Sequence, residues 1–129
     1  MIYFLAAAAV IAAIAAASDL RTGEIPNWLT LGALLVAPIA HIAFAGAKHA
    51  TGHVMMVEGG SSLLGAVACS IVPGILYRQD AIGGGDVKLL AAMGALLQPL
   101  VGLEAEMYSF FAAGLIAPAF LAYEGKLCR

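Results

Sequence analysis

Charge is scarce in this chain. Six basic and eight acidic side chains are spread over 129 residues, with a formal net charge of −2. A soluble domain of this length usually carries about a quarter of its residues as charges. No basic cluster occurs, so a nucleic-acid partner is excluded. Cysteine is scarce too. Cys69 lies in an apolar run and Cys128 near the end, with no close-spaced pair. That spacing argues against a disulfide framework or a zinc site and reads as a packing residue and a free thiol. No strand-like alternation and no low-complexity linker interrupt the sequence. What remains is apolar: 63% hydrophobic residues, with a mean hydropathy of +0.98.

Such a composition predicts an integral membrane protein. In lipid only helices or closed barrels satisfy their own backbone. Unbroken Ala/Leu/Ile runs select helices. Five apolar segments are expected: 2–17, 28–44, 59–77, 87–103 and 107–123. The first lacks a preceding positive charge, so it reads as a retained span rather than a cleaved signal. The expected fold is one all-α membrane domain, a polytopic bundle over residues 1–129. Glu104 and Glu106 read as the far boundary of the fourth segment, and the helix centres as free of acidic residues.

Polar connections separate the segments. Arg21, Arg78, Lys88, Lys126 and Arg129 fall on one side of a five-span arrangement, and Lys48 alone on the other. The positive-inside rule then predicts an outside N-terminus, a cytoplasmic C-terminus and cytoplasmic placement of Asp19 and Asp86. Asn27 is expected to cap the second helix, and Trp28 to sit at the interface.

Asp86 follows three glycines in Ile82-Gly83-Gly84-Gly85-Asp86-Val87-Lys88 and precedes an apolar run. An ionisable residue at a membrane boundary is a functional candidate; a flexible turn with an aspartate cap explains the same four residues. Asp19 ends the first segment at the same expected depth. Two carboxylates that share a low-dielectric site tend to share one proton. Such a pair activates water against a peptide carbonyl while protonating the carbonyl oxygen. Helix dipoles favour charge on Asp86, at a helix start, over Asp19, at a helix end.

Ser18-Asp19-Leu20-Arg21, then Ile25-Pro26-Asn27, then Gly83-Gly84-Gly85-Asp86-Val87-Lys88 resemble the type IV prepilin peptidase family. These are membrane aspartic proteases with a Gly-x-Gly-Asp motif. The likeness is to short members serving Flp/Tad-type pili or archaeal flagellin-like systems. It implies Asp19 and Asp86 as the catalytic pair, with no cofactor and no metal. It also implies a pilin-like precursor as the substrate, cut at the cytoplasmic face of the inner membrane. Ten residues, Ser18 to Asn27, separate the first two segments. They leave no room for the cysteine-bearing insertion of larger members, so methylation of the product is not expected. The five spans are one fewer than short members usually have.

The other polar residues have plainer readings. Asp80 and Glu24 are expected to be solvated loop residues. Lys88 is expected to reach the interface, or to meet an acidic residue of the substrate. His49 and His53, four apart, lack a third metal ligand. Gly83, Gly84 and Gly85 either permit the turn or pair with an extended substrate. The rival function is a small transport or proton-relay subunit, which should carry carboxylates at several depths.

Overall fold

The computed structural model describes residues 1–125; Lys126, Cys128 and Arg129, and the readings that rest on them, lie outside the described residues. Four helical elements occur among the described residues: α1 (Ile2–Thr22), α2 (Asn27–Ala47), α3 (Gly52–Arg78) and α4 (Gly84–Tyr123). All four are long and apolar enough to cross a membrane. The chain is an all-α membrane protein.

Four elements stand in place of the five expected segments because α4 comprises two helical arms joined across a break. The last two segments form one element, α4, which breaks at Gln98 with φ 64° and ψ 170°. Pro99 follows, so the backbone there lacks a donor and could not continue the helical ladder. Beyond the break the chain turns back along its first arm: a Cβ built on Gly102 would come within 3.0 Å of Gly94 Cα. The reversal therefore lies at Gln98-Pro99, not at Glu104 and Glu106. The connections are also shorter than expected. α1 runs on to Thr22, so Asp19 is helical, and α3 already includes Glu58. Pro73 sits inside α3, which continues past it to Arg78.

Small residues make up most of the interior, interspersed with Phe4, Leu29, Leu96 and Leu97. Ala8, Ala33, Ala37, Ala66, Ala92 and Ala95 are buried, whereas Leu20, Leu35, Ile39, Met56 and Leu64 are exposed on the outside. In lipid, burying large apolar side chains gives little driving force, and close backbone packing takes its place. The tightest contact joins α3 and α4. A Cβ on Gly65 would collide with the Gly94 carbonyl, and one on Gly94 with the Gly65 carbonyl. Ser62 donates its hydroxyl to Ala95 O at 2.7 Å beside this contact. Cys69, 1% exposed, packs against Gly102, in line with its expected packing role.

One acidic residue does lie inside, contrary to the expectation. Glu106 is 4% exposed, and neither carboxyl oxygen has a hydrogen-bond partner among the described residues. Its neighbours include Cys69 and the Ala8, Ala9 and Ala12 face of α1. Glu104, two residues earlier, is exposed. Two steps along a helix turn a side chain to nearly the opposite face.

The glycine contact sets a test. Gly65→Ala should cost about 1–3 kcal/mol through overpacking against backbone. Gly60→Ala, whose Cβ meets open space, should stay within about 0.5 kcal/mol. Thermal melting of the two variants in the same detergent measures the contrast.

Candidate active site

Asp19 and Asp86 come from opposite halves of the chain and line one open cavity of about 400 Å³. Gly23, Glu24, Ile25, Asn27 and Gly83 to Gly85 complete its lining. Both carboxylates are exposed to it. No hydrogen bond or ion pair joins them among the described residues. The cavity is polar, open and large enough to hold water and an extended segment of peptide.

Local chemistry builds each side. α1 ends in a left-handed cap: Gly23 has φ 69°, and its N–H bonds Asp19 O at 2.8 Å. Glycine takes this conformation without steric cost. The Ser18 hydroxyl donates to the Glu24 carbonyl at 3.1 Å, and the Thr22 hydroxyl, which donates to Ser18 O at 2.9 Å, shares its hydrogen with the same Glu24 carbonyl at 3.2 Å. These bonds fold the short connection back over the end of α1 and fix the turn of helix that carries Asp19.

On the other side Gly83 is the N-cap of α4, and Gly84, Gly85 and Asp86 form its first turn. Asp86 thus stands three residues beyond the cap instead of capping the helix itself. Its N–H bonds Gly83 O at 3.2 Å. The N–H groups of a first helical turn have no intrahelical acceptor, so those of Gly84 and Gly85 are free to meet a carbonyl oxygen. The glycines also admit close packing. Tyr77 lies against Gly84, and Ile25 lies 3.3 Å from a Cβ position on Gly85. Two of the three glycines are helical and packed, so they do not form an extended strand edge for pairing.

Lys88 donates to Asn27 Oδ1 at 2.9 Å. Asn27 does not cap α2; Pro26 holds that position, and the Asn27 side chain accepts from Lys88. The Ile25–Gly85 contact and this hydrogen bond tie the α1–α2 connection to the start of α4. Together they hold the two aspartate-bearing segments side by side. Sequence reasoning named Lys88 but not its partner, because two residues on different helices leave no mark in spacing. Asp80 and Glu24 are exposed, as expected. Glu24 does line the cavity, as a rim residue. His49 and His53 are exposed on the α2–α3 side, and no cluster of three metal-binding side chains of the His, Cys, Asp and Glu types occurs among the described residues.

The Lys88–Asn27 bond predicts non-additive losses. Lys88→Met and Asn27→Ala should each cost about 0.5–1 kcal/mol, the range for an exposed hydrogen bond to a charge. The double variant should be no less stable than the worse single one. A thermal double-mutant cycle in detergent gives the coupling; full additivity would show that the contact contributes nothing.

Comparison with known proteins agrees with the geometry. The family model described as the type IV leader peptidase family matches residues 6–122. The match takes in both aspartates, the glycine turn, α2 and α3, and nearly all of α1 and α4. No curated protein and no solved structure matches the chain. With nearly its whole length covered, and with the two motif aspartates facing one cavity, the chain belongs to the type IV leader peptidase family.

Proposed function

We propose that the protein is a membrane aspartic endopeptidase that removes the short leader of pilin-like precursors. The observation that carries this reading is the shared cavity of Asp19 and Asp86. One carboxylate takes a proton from water as the oxygen attacks the scissile carbonyl carbon. The other gives its proton to the carbonyl oxygen, forming a tetrahedral gem-diol. Collapse of that intermediate breaks the C–N bond, and a carboxyl proton passes to the leaving amine. Such proton transfers by positioned side chains contribute about 10²–10⁴-fold each. The free N–H groups of Gly84 and Gly85 are suited to hold the carbonyl oxygen.

The surroundings support a substrate anchored in the same bilayer. The cavity opens at the ends of apolar helices, where the stem of a membrane-tethered precursor keeps its scissile bond within reach. The basic residues Arg21, Arg78 and Lys88 lie on this side. They support the cytoplasmic face of the inner membrane as the location. Only four residues separate α1 from α2. That is too short for a folded insertion, which supports peptidase action without methyl transfer to the new N-terminus.

Glu106 favours a second reading. A buried carboxylate between the Asp19–Asp86 level and the Gln98 break gives the chain acidic groups at two depths, as a proton relay requires. Its surroundings weigh the other way, since alanines and Cys69 offer no polar path.

Co-expression with a pilin-like precursor tests the main reading by a gel shift. The wild type should release the leader. Asp19→Asn and Asp86→Asn, which keep shape and remove the acid, should each lower cleavage by at least about 10²-fold while still inserting in the membrane. Cleavage that survives either change removes that aspartate from the mechanism. Proteoliposomes loaded with a pH dye test the relay: proton flux abolished by Glu106→Gln would support it over the peptidase.

A further inference from the structure

The end of the bundle away from Asp19 and Asp86 holds a second set of converging polar groups. His41 comes from α2, Glu58 from α3 and Gln98 from the break in α4. His41 is 4% exposed, and the Phe4 ring stacks flat on its imidazole, with centroids 3.8 Å apart and planes within 3°. Its Nε2 lies 3.0 Å from Leu96 O. A carbonyl oxygen only accepts, so Nε2 carries a hydrogen, and in the neutral ring Nδ1 presents a lone pair.

That lone pair faces a carboxylate. Nδ1 is 3.7 Å from Glu58 Oε2. Two acceptors aimed at one point need a hydrogen-bond donor or a positive centre between them. The Gln98 amide supplies a partial one, with Nε2 donating to Glu58 Oε2 at 2.6 Å and lying 3.5 Å from Nδ1. These three atoms form a triangle. A cation about 2.1 Å from each corner, the zinc distance for nitrogen and oxygen ligands, fits just above its plane. Half a turn of the Gln98 amide exchanges its nitrogen for its oxygen at the third corner.

We propose that His41 Nδ1, the Glu58 carboxylate and the Gln98 amide oxygen bind a divalent cation of the zinc class. Imidazole with oxygen ligands suits that class. The second nitrogen of a metal-binding histidine is typically held by a carbonyl or carboxylate, which fixes the tautomer and the ring; Leu96 O and the Phe4 stack do so here. Access is open, because the Glu58 side chain is 40% exposed beside a cavity of about 220 Å³. That cavity leaves space for water as a fourth ligand. Lys48 lines the same cavity with its ammonium held over the Phe44 ring at 4.8 Å, and its charge limits the affinity. A bound ion would tie α2, α3 and α4 together at the fold-back. Its role is structural and independent of the aspartate chemistry.

The test uses the full chain in detergent, stripped with a chelator and titrated with zinc chloride. His49→Asn and His53→Asn are made first, to remove the exposed histidines as a competing site. In that background zinc should raise the melting temperature by roughly 5–10 °C at a hundredfold excess over Kd. Calorimetry should give one equivalent, and cobalt should give a visible d–d band. Glu58→Gln should abolish all three signals. Gln98→Glu, which places a carboxylate at the third corner, should tighten zinc binding about tenfold. His41→Asn should abolish them too, and Glu58→Gln carries the test if that variant fails to fold. No shift in the histidine-free background, or a shift that survives Glu58→Gln, would overturn the proposal and leave the cluster as a hydrogen-bonded lock.

Discussion

The approach of Gly65 to Gly94 governs the rest of the fold. With no side chain between them, α3 and α4 meet backbone to backbone, and every polar feature of α4 takes its position from that contact. Toward one end it places the Gly83–Asp86 turn beside Tyr77 of α3. Toward the other it brings Gln98 to Glu58. A single methyl group at the crossing would therefore disturb both ends of the bundle at once. Membrane bundles depend on such contacts because lipid offers no hydrophobic reward for burying larger side chains.

The two ends divide the work differently. At the aspartate end the connections are short and the side chains exposed, and the segments are joined by one hydrogen bond and one apolar contact. Such a rim can admit a peptide without unfolding anything. At the opposite end His41 is buried, stacked and hydrogen-bonded, and three helices meet in one polar cluster. Rigidity is concentrated where no substrate chemistry is proposed. α1, which carries Asp19, leans mainly on α4 through alanines, so the catalytic candidate with the weaker anchorage is Asp19.

Much of the candidate site was legible in the sequence. Asp86 stood out because a carboxylate between three glycines and an apolar run has few structural uses, and Asp19 because it closed an apolar segment at a matching boundary. Lys88 was named for its place in the motif, but its bond to Asn27 is a meeting of two helices that spacing does not encode. The break at Gln98 was harder. Gln98-Pro99 falls inside the expected segment 87–103, and a proline marks a disturbed helix without stating whether it bends or reverses. Glu106 was misread because Glu104 and Glu106 sit together in the sequence, whereas the helix turns one outward and the other inward. His41, Glu58 and Gln98 lie in three separate stretches, and no periodicity connects them.

The fold-back at Gln98 has a further consequence, for the bilayer. From Asp86 to Gln98 the first arm of α4 rises roughly 18 Å at 1.5 Å per residue, against a hydrocarbon core of about 30 Å. Polar groups at both ends of so short an arm cannot both lie at the surface of an undisturbed membrane. The mismatch is met by local thinning, by polar ends sunk beneath the headgroups, or by both. Either way at least one polar end of the arm lies at a depth where lipid beyond the protein is still hydrocarbon. Under the proposed peptidase reading, an aspartate end set at that depth would bring solvent down to the bond, with no extraction of the substrate from the membrane.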